Sequence, residues 1–226
     1  MPSEYLDLGK QIEEIEGFQQ QWVEELQAYY GEQERDGFEE PPHERIRRRA
    51  EELVRTGFEH LYSNERGTTE MGDASPQEVH LLLLAIGAEV ALNAVMLKED
   101  WETYQNSSKF DNGETPGLKA TSKWLMSTLP DGFGNEECKR VYQVLRLLRV
   151  HRNNSAHLGY ARFTHPNHLK EIYHVLAFIF DHYFDESDVV DELIERTAEQ
   201  EQWCVSDLDY PPVDLGVDSK RNTERR

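Results

Sequence analysis

The sequence predicts an all-α protein, and the prediction rests on its periodicity and its helix-start signals. Ile12, Ile15, Phe18, Trp22, Leu26 and Tyr29 recur at three- and four-residue steps, the spacing that turns one face of a helix inward. The same rhythm returns in Val141, Val144, Leu145 and Leu148. Ser75-Pro76-x-Glu78 reads as a helix start, with Ser as cap, Pro in the first turn and Glu reaching back. Between these signals, the stretch from Pro76 to about Lys98 is apolar nearly all round, as a central helix should be.

The first helix is expected from about Asp7 to Gly31, mildly weakened by Gly17. Glu32 to Pro42 follows as a charged linker. A second helix from near His43 places Ile46, Ala50, Leu53, Val54, Phe58 and Leu61 on one face. It also carries the densest basic run, Arg45-Ile-Arg47-Arg48-Arg49. That run reads first as a solvated face paired with nearby Glu, and second as a nucleic-acid contact. Ser63 to Ser75 is a loop. Beyond the central helix, Trp101 to Pro116 is expected as a long polar surface loop, and Leu118 to Leu129 as a short helix with Leu118, Trp124, Leu125 and Leu129 inward. Pro130 to Gly134 is a turn, and Asn135 caps the helix that follows. After a loop from Ala161 to His165, Pro166 opens a helix carrying Leu169, Ile172, Tyr173, Leu176, Phe180 and Tyr183. Val189 to about Glu201 forms a terminal helix.

Composition narrows the function classes. The 226 residues hold 44 Asp and Glu against 24 Lys and Arg, a formal charge of −20. A generic nucleic-acid binder would be basic, so any anion site must be local. Most of the cations are Arg, and an acidic, Lys-poor surface suits a saline interior that screens self-repulsion. Cys138 and Cys204 fit neither a disulfide framework nor a metal spacing. His165, His168, His174 and His182 cluster in sequence without a standard ligand pattern, so no metal or other cofactor is expected. The N-terminus has no basic and apolar signal segment. The run Leu81–Leu97, interrupted by Glu89 and Asn93, is read as too short to span a bilayer. A soluble, cytoplasmic protein with no membrane partner is expected.

Chemistry concentrates at the end of the Val141–Tyr160 stretch. One turn beyond Leu148 the apolar stripe reaches Arg152, and Asn153, Asn154, Ser155, Ala156, His157, Leu158, Gly159 and Tyr160 follow. On an unbroken helix, five steps turn position 157 about 140° from position 152. The polar triplet Asn153 to Ser155 favours local side-chain bonds to the backbone, so a break is expected there that brings the two cations together. A permanent cation beside a group titrating near neutrality suits work on a phosphate. The competing reading is a helix end whose Arg is salt-bridged and whose His is buried. Glu89, inside the apolar helix, is expected to be buried and paired with Arg149 or Arg152, because an unpaired buried carboxylate costs several kcal/mol.

Arg152-Asn153-x-x-x-His157, ending an apolar helix and followed by Gly159 and Tyr160, resembles the Arg-polar-x-x-x-His signature of HEPN domains. The Pro76–Lys98 segment and the Gly117-Leu118-Lys119 start of the next helix resemble the first two core helices of that family. The resemblance covers roughly residues 76 to 184. It implies a four-helix bundle with additional N-terminal and C-terminal helices: an extension over 1–70, the bundle over 71–200, and a disordered tail over 201–226. It also implies a metal-independent endoribonuclease in which the 2′-hydroxyl attacks the adjacent phosphate. His157 would move protons, Arg152 would hold the phosphorane charge, and Asn153 would orient the phosphate or the ring. Two subunits would pool their motifs in a homodimer. RNA would enter a basic mouth made by Arg149, Arg152 and Arg162, with the Arg45–Arg49 run as a further candidate. Such proteins serve in toxin or defence systems, with an antitoxin or regulatory partner. Some carry a modifiable Tyr two residues after the His; Tyr160 stands three after His157, and is read as a supporting residue of core or cap. The alternative function is a non-catalytic dimerisation or interaction module, which the acidic surface favours. A nucleotide switch would need a Gly-rich phosphate loop, which the sequence does not offer.

Overall fold

A computed structural model describes residues 8–32, 35–63, 76–107, 110, 113–129, 133–158, 166–184 and 187–201, apart from the side chains at 8–13, 15, 60–63, 76–77, 155–158, 166 and 200–201. The described residues are all-α: α1 (Leu8–Leu26), α2 (Pro42–Ser63), α3 (Pro76–Glu99), α4 (Trp101–Gln105), α5 (Leu118–Thr128), α6 (Asn135–Leu158), α7 (Pro166–Tyr183) and α8 (Val189–Glu201), with a π-helical turn over Gln27–Gly31. The tail expected over 201–226 lies, after Glu201, outside the described residues.

Helix α3 is the axis of the molecule. Its residues from Ala91 to Leu97 are all buried, and it packs against α2, α5, α6 and α7. Glu78–Glu99 is in fact long and apolar enough to cross a membrane by length and composition. Burial of 67% of its most apolar window inside the fold identifies it as a core helix.

The most extensive helix pair is α2 on α3. Small residues permit the close approach: a β-carbon at Gly87 would come within 3.0 Å of Val54 Cγ2 and 3.3 Å of the Ala50 carbonyl oxygen. Ala50, Val54 and Phe58 are buried there, so part of the expected 1–70 extension shares the main core. His80 is fully buried beside them, its Nε2 2.8 Å from the Tyr173 hydroxyl of α7 and its ring 5.3 Å from that of Phe58. Helix α7 is buried over most of its surface, with Leu169, Ile172, Tyr173, Leu176, Phe180 and Tyr183 inward as their spacing requires. Val189, Val190 and Leu193 of α8 close its outer side.

Two expectations need correction. Phe18, placed on the apolar stripe of α1, is 72% exposed; among the described side chains of α1, burial begins in its C-terminal turns, at Val23 and Leu26. The region Trp101–Pro116 is not a wholly surface loop. Asp100 caps α4 by accepting from Thr103 N at 3.0 Å and also accepts from the Trp124 indole at 2.9 Å. Tyr104 and Phe110 are buried. Trp101 stacks on Tyr30, with ring centroids 5.3 Å apart. The local sequence looked polar, but Trp101, Tyr104 and Phe110 pack on one another, and the cluster is tied to the rest of the fold through Tyr30 and Trp124.

Candidate anion site around Arg152

The apolar stripe of α6 positions the site. Val141, Val144, Leu145 and Leu148 are buried against the core, which fixes the rotation of the helix and delivers Arg152 to its rim. The guanidinium Nη1 donates to Glu89 Oε2 of α3, and Nη2 lies 3.4 Å from Asn153 Oδ1. The expected acidic partner is therefore met by Arg152, not by Arg149.

Helix α5 completes the surroundings of Glu89. A β-carbon at Gly117 would stand 3.7 Å from Glu89 Oε1, so the carboxylate sits beside the first turn of α5. Unpaired N–H groups and the positive end of the helix dipole favour an anion at that place. Asn93 holds the approach to α5 in register: its Nδ2 donates to the Glu89 carbonyl at 2.8 Å and to the Pro116 carbonyl at 3.0 Å.

Burial of this pair is partial. The side chains are 18% exposed at Glu89 and 31% at Arg152. Solvent reduces both the desolvation cost and the Coulombic gain, so removing one partner costs less than for a fully buried pair. Glu89→Gln is expected to lower stability by about 1–2 kcal/mol, measured as a shift in urea midpoint against wild type. An unchanged midpoint would mean that Glu89 is not needed to hold Arg152 in the fold.

The expected break after Arg152 does not occur. Helix α6 runs through Asn153, Asn154 and Ser155 to Leu158; tertiary packing overrides weak local propensities of this kind. Backbone positions 152 and 157 are consequently about 140° apart around one axis and separated by about 7.5 Å along it. The His157 side chain is outside the described residues, as are Tyr160 and Arg162 altogether.

The basic run of α2 is occupied. Arg45 pairs with Glu25 at 2.6 Å, Arg47 with Glu44 and Glu51 at 2.6 and 2.7 Å, Arg48 with Glu40, and Arg49 with Glu52 at 2.9 Å. Arg45, Arg48 and Arg49 match the reading of a solvated, Glu-paired face, whereas Arg47 and Glu51 turn inward, with side chains 13% and 5% exposed; the run leaves little charge for a phosphate.

A different set of cations stands out. Among the described side chains, Lys119, Lys123, Arg146 and Arg149 take part in no ion pair, side-chain hydrogen bond or ring contact. Lys119, Arg146 and Arg149 line a shallow groove between α5 and α6 together with Ser122, Tyr142 and Leu145. Only Arg149 of these four was singled out from the sequence. A readable signal existed: no Asp or Glu occurs over 115–130 or 138–170 in so acidic a chain.

A second depression lies on another face of α6. It measures about 210 Å³ and is lined by Arg140, Gln143, Val144, Leu147, His168 and Glu171. Arg140 Nε and Glu171 Oε2 face each other across it at 3.7 Å. His151, directly before Arg152, is buried, and burial together with the charge of His168 pushes its pKa down. Among the described residues, no group of three His, Cys, Asp or Glu side chains converges as a metal site would require.

No family model, curated protein or solved structure matches the chain.

Proposed function

We propose that the chain is a cytoplasmic, metal-independent endoribonuclease of HEPN type, built on a four-helix core of α3, α5, α6 and α7. The observation that carries this reading is the Arg152 guanidinium, fixed by Glu89 at the end of a run of acid-free surface. A clamped guanidinium keeps further N–H donors for a phosphate and cannot lose its charge. The substrate 2′-hydroxyl would attack the adjacent phosphorus and the 5′-oxygen would leave, giving a cyclic phosphate and a 5′-hydroxyl. His157 would move the proton, the role an imidazole commonly fills near neutral pH. Arg152 would stabilise the charge that builds on the non-bridging oxygens, and Asn153 would orient the phosphate.

The geometry of α6 supports a dimeric site. With positions 152 and 157 on one continuous helix, the pair from one chain does not converge by a helix break. Two motifs facing each other across a two-fold axis would let Arg152 of one protomer act with His157 of its partner. Light scattering at micromolar protein should give a dimer, and a monomer under active conditions would overturn this arrangement. The deciding test of the function is end-group analysis of RNA incubated with the pure protein and EDTA. Cyclic phosphate and 5′-hydroxyl ends are expected.

One observation favours the alternative, a non-catalytic interaction module. The charge of Arg152 is already met by Glu89, as in a purely structural pair. Absence of cleavage across a panel of RNAs and salt concentrations would decide for it.

A further inference from the structure

We infer that the groove between α5 and α6 binds a single strand of nucleic acid, with a base stacked on Tyr142 and the phosphates held by Lys119, Lys123, Arg146 and Arg149. The inference deepens the ribonuclease reading, because Arg149 on the groove stands one helical turn before Arg152.

The charge pattern comes first. The chain carries −20 overall, yet α5 has no carboxylate along its length and α6 has none from Cys138 onward. Elsewhere the cations are largely neutralised in place, as in the Arg45–Arg49 run. Of the cations without an acidic partner, Lys119, Arg146 and Arg149 line this one groove, and Lys123 follows Lys119 by one helical turn. An unscreened cluster in an acidic protein focuses a local positive field, and a polyanion is the ligand that gains most from it.

Geometry then favours a strand. Tyr142, Arg146 and Arg149 follow at four- and three-residue steps on α6, and Lys119 and Lys123 at a four-residue step on α5. Residues so spaced share one helix face. The groove they border is shallow, with Leu145 and Ser122 in its floor. Arg152 follows Arg149 by three more residues, so the row of cations ends at the guanidinium held by Glu89.

Tyr142 selects the kind of polyanion. It is 37% exposed, one of few large apolar side chains left open in the described residues, and it lines the groove among the cations. An open aromatic ring beside phosphate-binding cations is the arrangement that holds an unpaired base, because stacking needs a free base face. A duplex hides its base faces within the stack.

Binding is tested apart from cleavage by fluorescence anisotropy, using full-length protein carrying His157→Ala and labelled 12-mers of oligouridine, oligothymidine and a duplex RNA. Oligouridine and oligothymidine should both bind, more tightly than the duplex. Tyr142→Ala should weaken single-strand binding about 5- to 100-fold with the salt dependence unchanged, while Tyr142→Phe retains it. Lys119→Ala with Arg146→Ala should flatten the slope of log affinity against log salt by about 1.4, or about 0.7 for each lost phosphate contact. Equal binding by wild type and Tyr142→Ala would overturn the inference, as would equal affinity for duplex, or displacement by poly-glutamate at matched charge. Cleavage is scored separately. Binding that depends on Tyr142 in a protein that cuts nothing sinks the nuclease reading and leaves the groove standing. Cleavage indifferent to Tyr142 does the reverse.

Discussion

His157→Ala is expected to lower cleavage of single-stranded RNA by about 10²- to 10⁴-fold, the usual contribution of a positioned proton-transfer group. The loss should be chemical, so the variant should melt with wild type and still bind oligouridine. Arg152→Lys should fail for a related reason. An ammonium keeps the charge but cannot hold Glu89 and a phosphate through one planar fork. End-group analysis of RNA incubated with each pure protein is the measurement. Equal cleavage by wild type and His157→Ala would remove His157 from the mechanism. Mixing inactive Arg152 and His157 variants would test pooling across a dimer, since a mixed dimer regains one complete site.

Acid is expected to destabilise the fold through His80. Burial pushes the pKa of His80 down from 6.5 to about 4, so the folded state holds the neutral ring. Above 6.5 the ring is neutral whether the chain is folded or not, and the contribution to stability is complete. As pH falls from 6.5 towards 4 the unfolded chain takes up a proton that the folded chain refuses, and stability is lost. The full loss is about 3 kcal/mol, at about 1.4 kcal/mol per pH unit. Urea titrations at pH 7 and pH 4.5 should show wild type losing more stability than His80→Gln by about 2 to 2.5 kcal/mol, most of the full amount. His43 and His151, also pushed down by burial, contribute to both proteins and cancel in the comparison. Equal losses would mean that His80 is protonated within the fold at no cost.

Periodicity by itself determined the all-α class and most of the inward faces. Val141, Val144, Leu145 and Leu148 are buried as their spacing demands, because an amphipathic helix has one way to hide its stripe. The need of a carboxylate in an apolar helix for a cation was legible too, and Glu89 meets Arg152. Tertiary structure decided what local signals could not. The continuity of α6 through Asn153, Asn154 and Ser155 depends on packing along its length, which outweighs propensity differences of about 0.5 kcal/mol per residue. Partial exposure of the Glu89–Arg152 pair depends on where α5 begins, a matter of Asn93 reaching the Pro116 carbonyl at 3.0 Å. The choice of Arg over Arg is also spatial: Arg45, Arg47, Arg48 and Arg49 look like the basic site in sequence, but carboxylates from α1, the linker and α2 itself reach them. Lys119, Arg146 and Arg149, scattered over two helices, become one surface only when α5 packs beside α6. Charge acts through space, and the chain's order does not record which carboxylates come within reach.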